Sequence, residues 1–278
     1  MKTLKKAVLF ICLMICVGRL TAQTKGTEEM VVHLSEPGKP VTLEAKLMSG
    51  SIKVIGYEGK DVIVLVHMDS TKEEEGEGDD DSKGMKRIGT TGGLDVRAEE
   101  NENTVRINAG MTNNKKLLGL TIKVPQNTER IEVGSVNGGD ISVSNVSGKI
   151  EISNVNGGIS ATGISGSVVA NTVNGDVIVK FKSVDPKAVM SFSSLNGKID
   201  ITLPADTKAN LKLRSDRGEM FTDFDIAVDK TQPKLETKNE DHFHQIKIND
   251  WISGTINGGG PEITLESQFS SIYIRKAK

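Results

Sequence analysis

Cysteine occurs only at positions 12 and 16. Both lie in the opening apolar run, so the rest of the chain can build neither a disulfide framework nor a thiolate metal site. Aromatic residues make up 4% of the chain, with a single Trp, which leaves few platforms for stacking a sugar ring or a base. Helical periodicity is missing beyond the opening run. Strong charge is missing too: the formal net charge is −2, and without the four cations of the first 22 residues 31 basic residues face 37 acidic ones, a net −6. Nothing in that balance points to nucleic acid or an anionic membrane surface as partner. A fold built under these absences must be held by an apolar core and by backbone ladders.

Residues 1–22 read as a secretory signal peptide. Lys2, Lys5 and Lys6 form a basic start, Ala7 to Gly18 an apolar run, and Thr21-Ala22 a small-residue end. A membrane anchor is the competing reading, although the run is short for a bilayer. Lipid attachment at Cys16 also stays open, against the poor fit of Ile15 just before it. The remainder, 23–278, is expected to be one exported domain, in the periplasm or at the cell surface, with no transmembrane span. It is long enough to bury a sizeable core.

What the chain has in place of these features is an internal echo. Val136-Asn137-Gly138-Gly139, Val155-Asn156-Gly157-Gly158, Val173-Asn174-Gly175-Asp176 and Leu195-Asn196-Gly197-Lys198 follow one another at 19, 18 and 22 positions. A weaker turn, Ser147-Gly148 and Ser165-Gly166, sits inside the first two intervals. Between turns, Ile141 and Val143, Ile150 and Ile152, Val168 and Ala170, Val177 and Val179, and Ile199 and Ile201 alternate with mostly polar neighbours, the period of a half-buried strand. A short repeat that cannot bury its apolar face alone marks a solenoid. The expectation is all-β: a single-stranded right-handed parallel β-helix with coils of about 18–22 residues. Asn137, Asn156 and Asn174 should share one column, with Val155 and Val173 beneath them in the core. Gly157 and Gly175 are expected at positive φ. Ile122-Lys123-Val124-Pro125 echoes Ile201-Thr202-Leu203-Pro204, and in both the proline marks a strand end.

Two excursions interrupt the pattern. Residues 71–87 contain the acidic run Glu73 to Asp81, with no apolar face to bury, and read as an exposed loop. Residues 229–241 read as a second charged loop around Pro233. A last coil around Ile256-Asn257-Gly258-Gly259-Gly260 is closed by Ile272-Tyr273-Ile274 and a basic terminus that would blunt an open sheet end.

Candidate sites are few. The acidic run lacks EF-hand spacing. A calcium roll would need an Asp in every repeat, and only Asp140 and Asp176 lie near such a place. His242 and His244 fall on one side of a strand without further ligands and read as a surface pair. The outward positions Lys149, Glu151, Ser167, Lys180, Lys198 and Asp200 are mixed in charge and show no acidic ladder, and no Gly-x-Ser-x-Gly turn occurs. No catalytic, metal or cofactor residue is assigned. The turn residues Asn137, Gly138, Ser147, Gly148, Asn156, Gly157, Ser165, Gly166, Asn174, Gly175, Asn196, Gly197, Asn257 and Gly258 are assigned structural roles, the asparagines as an amide ladder. Val169 and Ile178, apolar at outward positions, are either covered by a loop or form an adhesive strip.

With its leader, Asn-Gly coils and closing Ile256-Asn257-Gly258-Gly259-Gly260-Pro261-Glu262-Ile263, the chain resembles a bacterial family of adhesin-like β-strand-repeat proteins over roughly residues 40–278. That family is a domain of unknown function, related to domains described as auto-transporter adhesin heads and common in Bacteroidetes. The resemblance implies an exported right-handed β-helix and supplies no catalytic residue. The functional expectation is a non-enzymatic, extracytoplasmic adhesin-like module presenting a repetitive face to a protein or glycan of the cell envelope. The alternatives are a carbohydrate-active β-helix enzyme and a periplasmic accessory of envelope stress or assembly.

Overall fold

Alternation of apolar and polar residues sends neighbouring side chains to opposite faces of a strand, and strand β2 (Val41–Tyr57) shows the rule and its interruption. Val41, Leu43, Ala45 and Leu47 are buried; after a corner at 48–51 the buried positions become Ile52 and Val54. The parity has changed because the strand has turned onto a second face. The computed structural model describes residues 27–69, 96–109, 117–229, 234–240, 243–249 and 251–278. The leader 1–22 and the acidic excursion 71–87 lie outside the described residues.

The fold is all-β and solenoid-like, with no helix among the described residues. Nineteen strands form one continuous sheet that wraps around the core. On the first face, β2 lies between β5 (Thr104–Ala109) and β7 (Asn127–Asn137), all parallel. Parallel pairing continues through β9 (Ser147–Asn154), β10 (Ile159–Thr172), β12 (Met190–Ser194), β20 (Glu262–Ser267) and β14 (Ala209–Ser215). On the second face, the later half of β2 lies between β6 (Leu117–Pro125) and β8 (Ile141–Ser144). The first half of β10, β11 (Val177–Val184), β13 (Ile199–Leu203), β21 (Ile272–Lys276) and β15 (Met220–Thr222) follow in parallel register. One strand from each face, joined by a corner, makes a coil. Between the faces run columns of like residues, such as Ala45, Val133, Ile152, Ala170, Phe192 and Leu265 on the first and Val54, Val143, Ala161, Val179, Ile201 and Ile274 on the second, all buried.

The structure departs from the sequence expectation in five respects. First, the stack is not parallel throughout. At one end β3 (Val62–Asp69) runs antiparallel to β6, β1 (Thr27–Val32) to β3, and β4 (Val96–Asn101) to β5. At the other, β19 (Ile252–Ile256) runs antiparallel to β14, and β16 (Ile226–Val228) to β19. Both ends of the stack thus close with antiparallel strands, of which only β4 and β5 are joined by the tight turn that antiparallel neighbours allow.

Second, the last coil does not cap the stack. β20 and β21 are inserted between β12–β13 and β14–β15, so the basic terminus lies beside interior strands, with Arg275 forked onto Asp200 at 2.7 and 3.0 Å. Third, part of the expected loop 229–241 is β17 (Lys234–Glu240), paired antiparallel with β18 (Phe243–Asn249) in a separate two-stranded sheet. Fourth, Val155 and Val173 are not core residues: Val173 is 37% exposed and Val155 half-buried.

Fifth, Gly157 and Gly175 do not adopt positive φ, whereas Gly138, Gly148, Gly166 and Gly258 do. Gly157 is required for another reason. A Cβ there would stand 2.2 Å from the Gly139 carbonyl oxygen, and at Gly175 it would stand 2.3 Å from that of Gly157. The corners lie so close in the stack that no side chain fits between them.

Because Ile152 is fully buried and Val155 faces out, truncating them should have unequal effects. Ile152→Ala is expected to cost about 2–5 kcal/mol and Val155→Ala less than ~1 kcal/mol, read from urea midpoints. Equal losses would place Val155 back in the core.

Candidate functional site

Each of the four repeated Asn-Gly corners is preceded by a polar residue and then an aliphatic one: Ser135-Val136, Asn154-Val155, Thr172-Val173 and Ser194-Leu195. The polar residue points in and the aliphatic one out, against hydropathy. The inward group supplies a donor that a buried backbone carbonyl needs. Ser135 Oγ donates to Gly50 O at 2.7 Å, Asn154 Nδ2 to Gly139 O at 2.9 Å, and Thr172 Oγ1 to Gly157 O at 2.9 Å. Ser194 Oγ donates to Gly175 O at 2.8 Å and Ser267 Oγ to Gly197 O at 3.1 Å. All five are buried. The column carries a sequence signal that is easy to overlook, a Ser, Thr or Asn two residues before the turn asparagine.

Outside this column run the exposed asparagines. Asn156 Nδ2 donates to Asn137 Oδ1 at 3.3 Å, Asn174 Nδ2 to Asn156 Oδ1 at 2.8 Å, and Asn196 Nδ2 to Asn174 Oδ1 at 2.6 Å. The amides form a directed chain, every donor aimed toward the β2 end. Asp140 and Asp176 accept from the backbone N–H groups of Gly158 (2.7 Å) and Lys198 (3.0 Å), so both carboxylates tie coils together.

The remaining turn residues lie elsewhere. Ser147 and Gly148 are in register with Ser165 and Gly166 at the other corner of the coil, where Ser147 Oγ donates to Gln126 O at 2.9 Å. Asn257 and Gly258 join β19 to β20, and Asn257 Nδ2 donates to Ala205 O at 3.0 Å and Thr207 O at 2.7 Å.

Beside the amide ladder the outward aliphatic residues line up. Register and backbone bonds place Met48, Val136, Val155, Val173 and Leu195 in one column, one per coil, and the next rung carries Gln268 opposite Leu195 and Phe269 opposite Asn196. Met48 is 54% exposed, with Val136 and Val173 at 37%. A trough of about 590 Å³ runs alongside, its floor carrying Gly134, Ser153, Asn171 and Ser193. A second hollow of about 400 Å³, sharing Thr172 and Ser193, carries it on to Leu195, Glu266 and Arg214. Trp251 stands near that end, with Lys212 Nζ 4.8 Å and Arg214 Cζ 6.0 Å from its ring centre. Val169 and Ile178 do not belong to the strip. They sit on opposite faces, Val169 38% exposed between Glu151 and Ser191, Ile178 half-buried between Ser160 and Asp200.

Three carboxylates, Glu44, Glu132 and Glu151, occupy neighbouring rungs of the next column, an acidic ladder that the sequence reading did not foresee. Glu44 and Glu132 come from distant strands, and only the coil order brings them into line. Each is held by a cation: Arg106 Nε lies 2.9 Å from Glu44, Lys46 Nζ 2.5 Å from Glu132, and Arg130 Nη2 2.9 Å from Glu132 and 2.7 Å from Glu151. The hydrogen bond from Lys46 holds the Glu132 carboxyl below its ordinary range, and the same bond raises Lys46.

Among the described residues no group of three or more His, Cys, Asp or Glu could hold a metal ion. The side chains of His242 and His244 lie outside the described residues. A separate apolar hollow of about 400 Å³ opens where the core ends, between β14, β15, β16, β19 and β21.

A family model described as Toastrack DUF4097 matches residues 27–257. Comparison with curated proteins gives no match. Among solved structures, a Clostridium sporogenes ATCC 15579 protein provisionally named for cell adhesion aligns at 11% identity, covering 90% of this chain and 100% of its own, with a TM-score of 0.48. A Bacteroides fragilis NCTC 9343 protein provisionally named an adhesin aligns at 13% identity over 91% and 98%, with a TM-score of 0.40.

The direction of the amide chain has a measurable consequence. Asn137→Asp keeps an acceptor for Asn156 and should change stability by less than ~0.5 kcal/mol at pH 7. Asn156→Asp loses the donor and sets a carboxylate against Asn137 Oδ1, which should cost about 1–2 kcal/mol. Chemical denaturation of the two variants decides the order, and a reversed order would contradict the assigned polarity.

Proposed function

The chain belongs to the Toastrack DUF4097 family, and on that premise we propose a non-enzymatic, adhesin-like β-solenoid working outside the cytoplasm. In this reading residues 1–22 are a signal peptide and 23–278 one domain, wound as a single-stranded right-handed helix and placed in the periplasm or on the cell surface. Its partner is a protein or glycan of the envelope, bound without metal or cofactor. One observation carries the reading: the first face presents a continuous column of aliphatic side chains beside a ladder of neutral amides. A face that repeats at each coil offers many equivalent weak contacts, which suits an extended surface partner better than a single small molecule.

A carbohydrate-active enzyme is the second reading, because Glu132 and Glu151 share one nitrogen of Arg130 near the trough. Glycoside hydrolysis needs one carboxyl kept protonated by a raised pKa. Glu132 is shifted the other way, and Glu151 is paired with a guanidinium. Such clamped carboxylates hold coils together more readily than they donate protons.

Two measurements test the proposal. Protease shaving of intact cells should degrade the protein if it is an exposed adhesin; survival until the outer membrane is opened would move it to the periplasmic accessory role. Purified residues 23–278 incubated with envelope glycans should release no reducing ends. Steady release that Glu132→Gln or Glu151→Gln abolishes would establish the enzyme instead.

A further inference from the structure

We infer that the trough beside the aliphatic column binds a linear, uncharged polysaccharide laid along the solenoid axis, across the strands. The inference rests on the binding-module reading above and narrows its partner to one class. Three features of the face carry it.

The first is shape. Five rungs at the inter-strand spacing make a stripe ~19 Å long, and it is one side chain wide. Even an aromatic side chain offers only ~150–250 Å² in full, and the column members that stand out are 37–54% exposed. The stripe therefore falls well short of the ~800 Å² per partner that a stable protein interface needs. It is too narrow for a second copy or a globular protein and matches a single polymer strand.

The second is chemistry. A sugar ring presents C–H faces and a rim of hydroxyls that both donate and accept. The column supplies aliphatic surface for the former, and Ser153, Asn171 and Ser193 supply short hydroxyl and amide groups for the latter. Within the chain of amides Asn174 uses one N–H and one lone pair, Asn137 a lone pair and Asn196 an N–H, while Asn156 donates to both Asn137 and the Val136 carbonyl; a primary amide has two of each, which leaves groups to offer a ligand. A peptide strand would instead seek a sheet edge with unpaired backbone groups, and a face whose strands are paired on both sides has none.

The third is charge. Ser153, Asn171 and Ser193, Val136 to Leu195, and the ladder from Asn137 to Asn196 are all uncharged. The ionic groups at the two ends are paired, Lys46 with Glu132 at 2.5 Å and Arg214 with Asp216 at 2.9 Å. Among the described residues no row of free cations or anions follows the trough to hold a polyelectrolyte, since the carboxylates of the neighbouring column are paired with cations.

The test uses the full mature chain and neutral linear oligosaccharides as probes: the β-1,4-glucose, β-1,4-N-acetylglucosamine and α-1,4-glucose series from two to eight units. Polygalacturonate and polylysine serve as charged controls. Binding followed by NMR shift changes or calorimetry should appear for at least one neutral series. Its affinity should climb with chain length until the ~19 Å stripe is filled and then level off.

Val155→Lys and Val173→Lys lie on the outer surface and should fold as wild type, yet weaken binding at least tenfold. Ser193→Trp, which fills the trough, should do the same, while Ser160→Lys on the opposite face should leave it unchanged. No binding to any neutral series, stronger binding to a charged control, or binding indifferent to Val155→Lys and Ser193→Trp would each overturn the inference. Self-association on sedimentation that Val155→Lys abolishes would also overturn it, as would saturable binding of a purified envelope protein through this face. That last result would leave the binding-module reading intact, so the two failures are distinguishable.

Discussion

The structure depends on one contact repeated at one corner. A buried Ser, Thr or Asn side chain reaches the carbonyl of the glycine in the coil before it, from Ser135 to Gly50 through Ser267 to Gly197. A turn inside a stack exposes backbone groups that no strand partner satisfies, and leaving such a carbonyl unpaired in the core costs about 1–3 kcal/mol. Repeating the donor at each coil removes that penalty and fixes how far one coil sits from the next. The absence of a side chain at Gly139, Gly157, Gly175 and Gly197 is the other half of the same constraint, since the neighbouring corner's backbone occupies the place of each Cβ.

Once the corner is fixed, the outer surface follows. A polar residue turned inward forces the next residue outward by strand alternation, and that residue is Val, Val, Val and then Leu in the four copies. The aliphatic column is therefore a direct result of the hydrogen bonding beneath it. The asparagine that follows lies in the same register and finds its neighbours by side-chain amide bonds. Function, in this account, is built on the outer side of a structural device: the corner that holds the coils together also sets the spacing of the face they present.

The repeat was legible in the sequence because Asn-Gly recurs at nearly constant spacing with period-two strands between. The coil length, the all-β class and the burial of Ile141, Ile150, Val168 and Val177 all follow from that pattern. The direction of Val155 and Val173 did not follow from it, because hydropathy alone ranks Val above Asn154 and Thr172 for the core. Only the unpaired carbonyl at the corner reverses the ranking. The insertion of β20 and β21 between earlier coils was hidden for a different reason. Parallel pairing is non-local, and nothing in Glu262–Ser267 states whether its neighbour is β12, β14 or both. The acidic column stayed hidden for the same cause, since Glu44 joins Glu132 and Glu151 only when β2 is placed beside β7.

Equilibrium unfolding of Thr172→Val and Ser194→Ala, against Ser193→Ala as a surface control, tests the corner most directly. Thr172→Val keeps the shape of the side chain and removes only the hydroxyl that serves the Gly157 carbonyl. The account predicts a loss of about 1–3 kcal/mol for each corner variant and less than ~0.5 kcal/mol for the control. Corner variants as stable as the wild type would show that the coils are held in register by something other than this column.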